Sequence, residues 1–171
     1  TGLSSRIISS IAVVRGILYV SALDNAVTSV GLYKSTDGGQ SWQSAHRGLT
    51  SSLVRYVTAD GGVPGVLYAA TAAGVFKSSD GAATWKLATQ GLGAARVAVL
   101  LVDPRNPNIL YAGTDAHGMF KSINAGTTWF TINTSLRSLE ISALGPGPSA
   151  NVLYAGTPTA GVFRTSNAGA S

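Results

Sequence analysis

The sequence predicts an all-β protein: a β-propeller of four four-stranded blades, each about 43 residues long, the last without its outer strand. Three observations predict it. The pair Leu-Tyr recurs at Leu18-Tyr19, Leu67-Tyr68, Leu110-Tyr111 and Leu153-Tyr154. A Gly-apolar-aromatic-cation-hydroxyl run follows each pair, beginning at Gly31, Gly74, Gly118 and Gly161. Tryptophan occurs only at positions 42, 85 and 129, each time seven residues after the hydroxyl that ends the run.

Within each unit, short segments rich in Val, Ile, Tyr and Trp alternate with Gly, Pro, Asn and Asp clusters, the pattern of short strands joined by turns. Strand A is expected around Ile7, Tyr56, Val97 and Ile141. Strand B holds the Leu-Tyr pair, strand C the Gly-apolar-aromatic run, and strand D starts at the tryptophan. With a single Glu and no sustained 3.6-residue stripe, helices are not expected. The whole chain, 1–171, reads as one domain with blades at about 1–45, 46–88, 89–132 and 133–171.

The turn from C to D carries a fixed box. Its copies contain Ser35, Asp37, Gly39 and Trp42; Ser78, Asp80 and Trp85; Ser122, Asn124, Gly126 and Trp129; and Thr165, Asn167 and Gly169. A short Asp or Asn side chain accepts hydrogen bonds from backbone N–H groups just ahead of it, and Gly supplies the positive φ of a tight turn. The tryptophan is expected to bury its ring against the neighbouring strand or blade. The pattern Ser/Thr-x-Asp-x-Gly-x-Ser/Thr-Trp resembles the Asp-box, or bacterial neuraminidase repeat. That family takes in sialidases, xyloglucan-active glycosidases, sortilin-type receptors and a photosystem II assembly factor. Val102–Thr114 is also similar to bacterial members. The first copy matches in full, Ala82 replaces Gly in the second, and Asn124 and Asn167 replace Asp in the third and fourth. The resemblance implies that the boxes are structural staples away from any catalytic centre. It also implies a secreted, periplasmic or cell-envelope location.

Composition narrows the chemistry. Cysteine is absent, which excludes disulfides, thiolate catalysis and iron–sulfur clusters; with only His46 and His117 besides, no metal site or cofactor is expected. The net charge is +5 on only 11% charged residues, without a Lys/Arg run, so an anionic partner fits and a nucleic acid does not. No apolar run has the length of a membrane helix.

In a propeller the A–B and C–D connections share one face, here the box face, and the B–C and D–A connections share the other. The resemblance implies that any binding site lies on that other face. Its carboxylates are Asp24, Asp115 and Glu140, and glycoside hydrolysis needs two carboxyl groups about 5–9.5 Å apart. Asp24 and Asp115 fall in non-adjacent blades, Glu140 with Asp115 is the only candidate pair, and Tyr56 has no acid placed to activate it. Aligned A strands put Arg6, Arg55 and Arg96 in register with Glu140, and Arg137 precedes the fourth strand. These arginines are the candidate binding residues, for an anionic ligand or an acidic partner segment. Lys34, Lys77, Lys121 and Arg164 share a register on strand C and are expected to be solvated cations. The edge near Phe163 is expected to be covered by another chain or by further blades. The function expected is a non-catalytic scaffold or assembly subunit; the alternative is a segment of an Asp-box glycoside hydrolase whose catalytic carboxylates lie elsewhere.

Overall fold

The computed structural model describes Leu3 and residues 6–24, 30–51 and 53–170, with only the backbone of Arg6, Leu23, Asp24 and Val30. Fifteen strands form four antiparallel sheets in chain order. The first holds β1 (Arg6–Val14), β2 (Ile17–Asp24), β3 (Val30–Ser35) and β4 (Gln43–Ser44). The second holds β5 (Val54–Ala59), β6 (Leu67–Thr71), β7 (Gly74–Ser78) and β8 (Lys86–Leu87). The third holds β9 (Val97–Val102), β10 (Leu110–Thr114), β11 (Met119–Ser122) and β12 (Phe130–Thr131). The fourth holds β13 (Ala143–Pro146), β14 (Leu153–Thr157) and β15 (Gly161–Thr165).

The outer strands are only two residues long and begin just after each tryptophan, not at it; Trp85 and Trp129 turn their indoles inward onto the preceding blade. The fourth inner strand starts at Ala143, two residues later than Ile141, whose side chain is fully buried beneath the third blade.

Each blade packs face to face with the next. Tyr19, Val57, Phe76 and Trp85 share a buried cluster between blades one and two. Tyr68, Val75, Leu100, Phe120 and Trp129 fill the second junction. Tyr111, Met119, Ile141 and Leu153 fill the third. The rule is uniform: the strand-B tyrosine faces the following blade and the strand-C aromatic faces the preceding one. Three fully formed junctions supply apolar burial of the kind that dominates folding free energy.

The arc is open. Ile11 is 58% exposed, although its repeat equivalents Val57 and Leu100 lie at 1% and 2%, and Val13 is 64% exposed, against 9% for its equivalent Val102. At the far end Val162 is 73% exposed, against none for Val75. β15 is paired only with β14, so the edge expected near Phe163 is an edge among the described residues. The ends of the arc thus carry the same kinds of surface that the inner junctions bury.

Candidate functional site

The boxes are built as the spacing predicts. Ser35 Oγ donates to Asp37 Oδ1 (2.7 Å) and accepts from the Gly39 N–H (2.8 Å). Asp37 in turn accepts from the Ser41 N–H (2.9 Å) and hydroxyl (2.5 Å). Ser78, Asp80, Ala82 and Thr84 repeat the set at 2.5–3.0 Å. In the third copy Asn124 Oδ1 accepts from the Ser122 hydroxyl and the Thr128 N–H, while its Nδ2 donates to Thr128 Oγ1 at 2.8 Å. Reversing one donor lets the amide replace the carboxylate without breaking the ring of bonds. In the fourth, Thr165 donates to Asn167 (2.6 Å) and accepts from the Gly169 N–H (3.1 Å).

The Ser41 hydroxyl and N–H, with the Ser35 hydroxyl, hold the Asp37 carboxyl far below the usual carboxylate range. The Thr84 hydroxyl and N–H, with Ser78, lower Asp80 to about 2. Both are therefore ionised acceptors at neutral pH and unsuited to proton transfer.

Two successive residues of each box have positive φ: Gly38 and Gly39, Gly81 and Ala82, Ala125 and Gly126, Ala168 and Gly169. At Ala82 (φ 66°), Ala125 (φ 55°) and Ala168 (φ 57°) a Cβ is carried in the left-handed region, which costs an L-residue roughly 1 kcal/mol or more.

The boxes also lock blade to blade. The Trp85 indole N–H donates to the Ala45 carbonyl of the first blade (2.8 Å), and that of Trp129 to the Ala88 carbonyl of the second (2.9 Å). Trp42 turns its N–H onto the Gly39 carbonyl of its own box (3.1 Å). Two of the four strand-C cations expected to be solvated, Lys77 and Lys121, are instead clasps, while Arg164 is exposed as expected. Lys77 Nζ donates to the Ala125 carbonyl (3.0 Å) and Lys121 Nζ to the Ala168 carbonyl (2.9 Å), each reaching the next blade's box. Each ammonium also lies 5.4 Å from a strand-B tyrosine ring, Tyr68 or Tyr111.

On the opposite face, Asp115 leaves the turn between β10 and β11 and meets two arginines. Arg55 Nη1 forms an ion pair with its Oδ1, and Arg96 Nε stands 3.6 Å from its Oδ2. Arg55 sits near the start of β5 and Arg96 just before β9, so the aligned A strands do bring these two together. The carboxylate that joins Arg55 and Arg96 is Asp115, not Glu140, which shares their register position on the fourth blade. The side chains remain 30%, 56% and 32% exposed for Arg55, Arg96 and Asp115. Arg137 and Glu140 are exposed on the D–A connection of the third and fourth blades. The side chains of Arg6 and Asp24 lie outside the described residues. Two guanidiniums against one carboxylate leave a net positive, partly open cluster.

No family sequence model matches the chain, and no curated protein sequence does. Solved structures do. An ancestral GH74 enzyme superposes with a TM-score of 0.77 at 22% identity, over 95% of this chain and 23% of that one. The chain has the Asp-box β-propeller fold. The GH74 xyloglucanase from Xanthomonas campestris gives 0.69 at 18% identity, over 86% of this chain and 26% of its own. YCF48 from Cyanidioschyzon merolae gives 0.59 at 14%, over 98% and 69%. This Asp-box segment thus spans about a quarter of the length of the GH74 enzymes it resembles, and is part of a propeller as those chains build it.

Proposed function

We propose that this propeller segment is a non-catalytic binding scaffold whose face opposite the boxes docks an acidic segment of a protein partner. The Arg55–Asp115–Arg96 cluster carries the reading. Each guanidinium is a planar two-pronged donor that one shared carboxylate does not saturate, and both stay accessible to a second carboxylate. Arg47 and Arg137, exposed on the same face, add to the positive field that would steer an anionic partner. The shared Asp115 holds the two arginines in place in the unbound state, so docking requires little reordering. The exposed ends of the arc belong to the same proposal: Val13 at one end and Val162 at the other are surfaces for further blades or a partner chain. So does a secreted, periplasmic or envelope location, as in the resembling family, which cell fractionation tests.

The direct test is titration with an oligo-glutamate peptide across a salt series. Arg55→Gln with Arg96→Gln should weaken binding and flatten its salt dependence, whereas Asp115→Asn, which frees both guanidiniums, should strengthen it. Unchanged affinity and salt slope in the double variant would overturn the reading.

A further inference from the structure

A groove of about 530 Å³ lies along the outer rim between the second and third blades. The outer hairpin of the second blade forms one wall with Lys77, Ser79, Lys86 and Leu87, and the connection after it adds Thr89 and Gln90. The third box closes the far side. The charge of the groove is one-sided. Lys77 and Lys86 stand directly opposite each other on β7 and β8, a placement in which like charges repel. No carboxylate lines the groove, and the ion pairs among the described residues join only Arg55 and Arg96 to Asp115. The other blades do not repeat the doubling: the residue opposite Lys34 is Gln43, and that opposite Lys121 is Phe130.

Lys77 is held in place. Its bond to the Ala125 carbonyl and its seat beside the Tyr68 ring fix the ammonium, which keeps further N–H donors for the groove. The neutral polar groups are unspent. Ser79 Oγ, Thr89 Oγ1 and the Gln90 side-chain amide line the same space and make no hydrogen bond among the described residues. Trp129 seals the junction through the backbone carbonyls of Ala88 and Gln90, so the side chains of Lys86 and Gln90 are not used in it.

We propose that this groove binds a phosphorylated polyol of sugar-phosphate size, with its phosphate monoester at Lys77 and Lys86 and its hydroxyls along Ser79, Thr89 and Gln90. Charge selects the anion. A phosphate monoester carries about −1.5 to −2 at neutral pH, which two ammoniums match, whereas a carboxylate or a sulfate ester is a monoanion. Hydrogen bonding selects the rest. Ser and Thr hydroxyls and a Gln amide both donate and accept, as the hydroxyls of a polyol do. Leu87, 58% exposed, offers an apolar strip to the C–H face of a sugar ring. The volume falls within the roughly 300–1,000 Å³ of small-molecule sites. The groove shares no residue with the Arg55–Asp115–Arg96 cluster and does not rest on the function proposed for it.

The test titrates glucose 6-phosphate into the nitrogen-labelled chain and follows its backbone amide signals by NMR. Saturable shifts should appear at Lys77, Lys86 and Gln90. Glucose 6-sulfate and inorganic phosphate should each bind at least fivefold more weakly, the first for its lower charge and the second for its missing hydroxyls. Lys86→Gln, at an exposed position that leaves the Lys77 clasp intact, should weaken glucose 6-phosphate at least tenfold, and Gln90→Ala at least threefold. Arg55→Gln with Arg96→Gln should leave it unchanged. Affinity should fall as the monoester gains a proton below its second pKa of about 6. Absence of saturable shifts in the groove, or an affinity that Lys86→Gln leaves intact, would overturn the proposal. So would glucose 6-sulfate or inorganic phosphate binding as tightly as glucose 6-phosphate.

Discussion

Replacing Trp85 should separate the first blade from the second. The ring is 3% exposed, packs in the junction with Tyr19, Leu32 and Phe76, and gives its N–H to a carbonyl 40 residues earlier. Burying 150–250 Å² of ring at about 25 cal/mol per Å² is worth roughly 4–6 kcal/mol as an upper bound, and measured Trp→Ala losses run at about 3–5 kcal/mol. Trp85→Ala is therefore expected to cost about 3–5 kcal/mol. Trp85→Phe keeps most of the apolar mass but strands the Ala45 carbonyl, a loss of about 1–3 kcal/mol. Trp42 is half-buried and bonds only within its own box, so Trp42→Phe should cost less than about 1 kcal/mol. Urea unfolding read by circular dichroism gives the ranking, and hydrogen exchange gives the location. A stack of repeats is held by nearest-neighbour interfaces, so exchange should speed up in β1–β4 before β9–β12. Equal losses at Trp42 and Trp85, or uniform loss of protection along the arc, would refute the latch.

Acid should loosen the first two boxes and spare the others. Asp80 falls from an ordinary 3.8 to about 2 in the fold, and Asp37 moves the same way, so their contribution is complete above about pH 4 and fades as pH drops towards 2. Asn124 and Asn167 do not titrate; Asp37→Asn with Asp80→Asn should flatten the loss of Tm between pH 4 and pH 2. Ala125→Gly should stabilise by up to about 1 kcal/mol by relieving a left-handed alanine, and a lower urea midpoint would contradict it. Lys77→Met should cost about 1 kcal/mol through its bond to the Ala125 carbonyl, a loss absent if the lysine were merely solvated.

The blades were legible in the sequence because the box repeats local chemistry. A hydroxyl, a short acceptor two residues on and a left-handed pair form one turn, and their spacing survives the Asp-to-Asn changes at Asn124 and Asn167. The clasp role of Lys77 and Lys121 was not legible. A cation on an alternating strand has the pattern of a solvent-facing residue, and its acceptor is a backbone carbonyl 48 or 47 residues away that no side chain announces. The Arg55–Asp115 pair was half legible. Aligning the A strands brought the arginines to one face, but the partner comes from a turn 60 residues later whose direction only the packed blades define. The alanines at positive φ break a local preference that the surrounding bonds override.

The four repeats form an open arc of like junctions, and one distance tests this directly. Ile11 and Val162 are both exposed, on the two outermost blade faces. Spin labels at Ile11→Cys and Val162→Cys, in a chain with no other cysteine, report their separation by pulsed electron resonance. In a closed four-bladed ring those faces would meet at the spacing of packed sheets, about 10 Å. The open arc predicts a separation well beyond that, and a single short distance near 10 Å would contradict it.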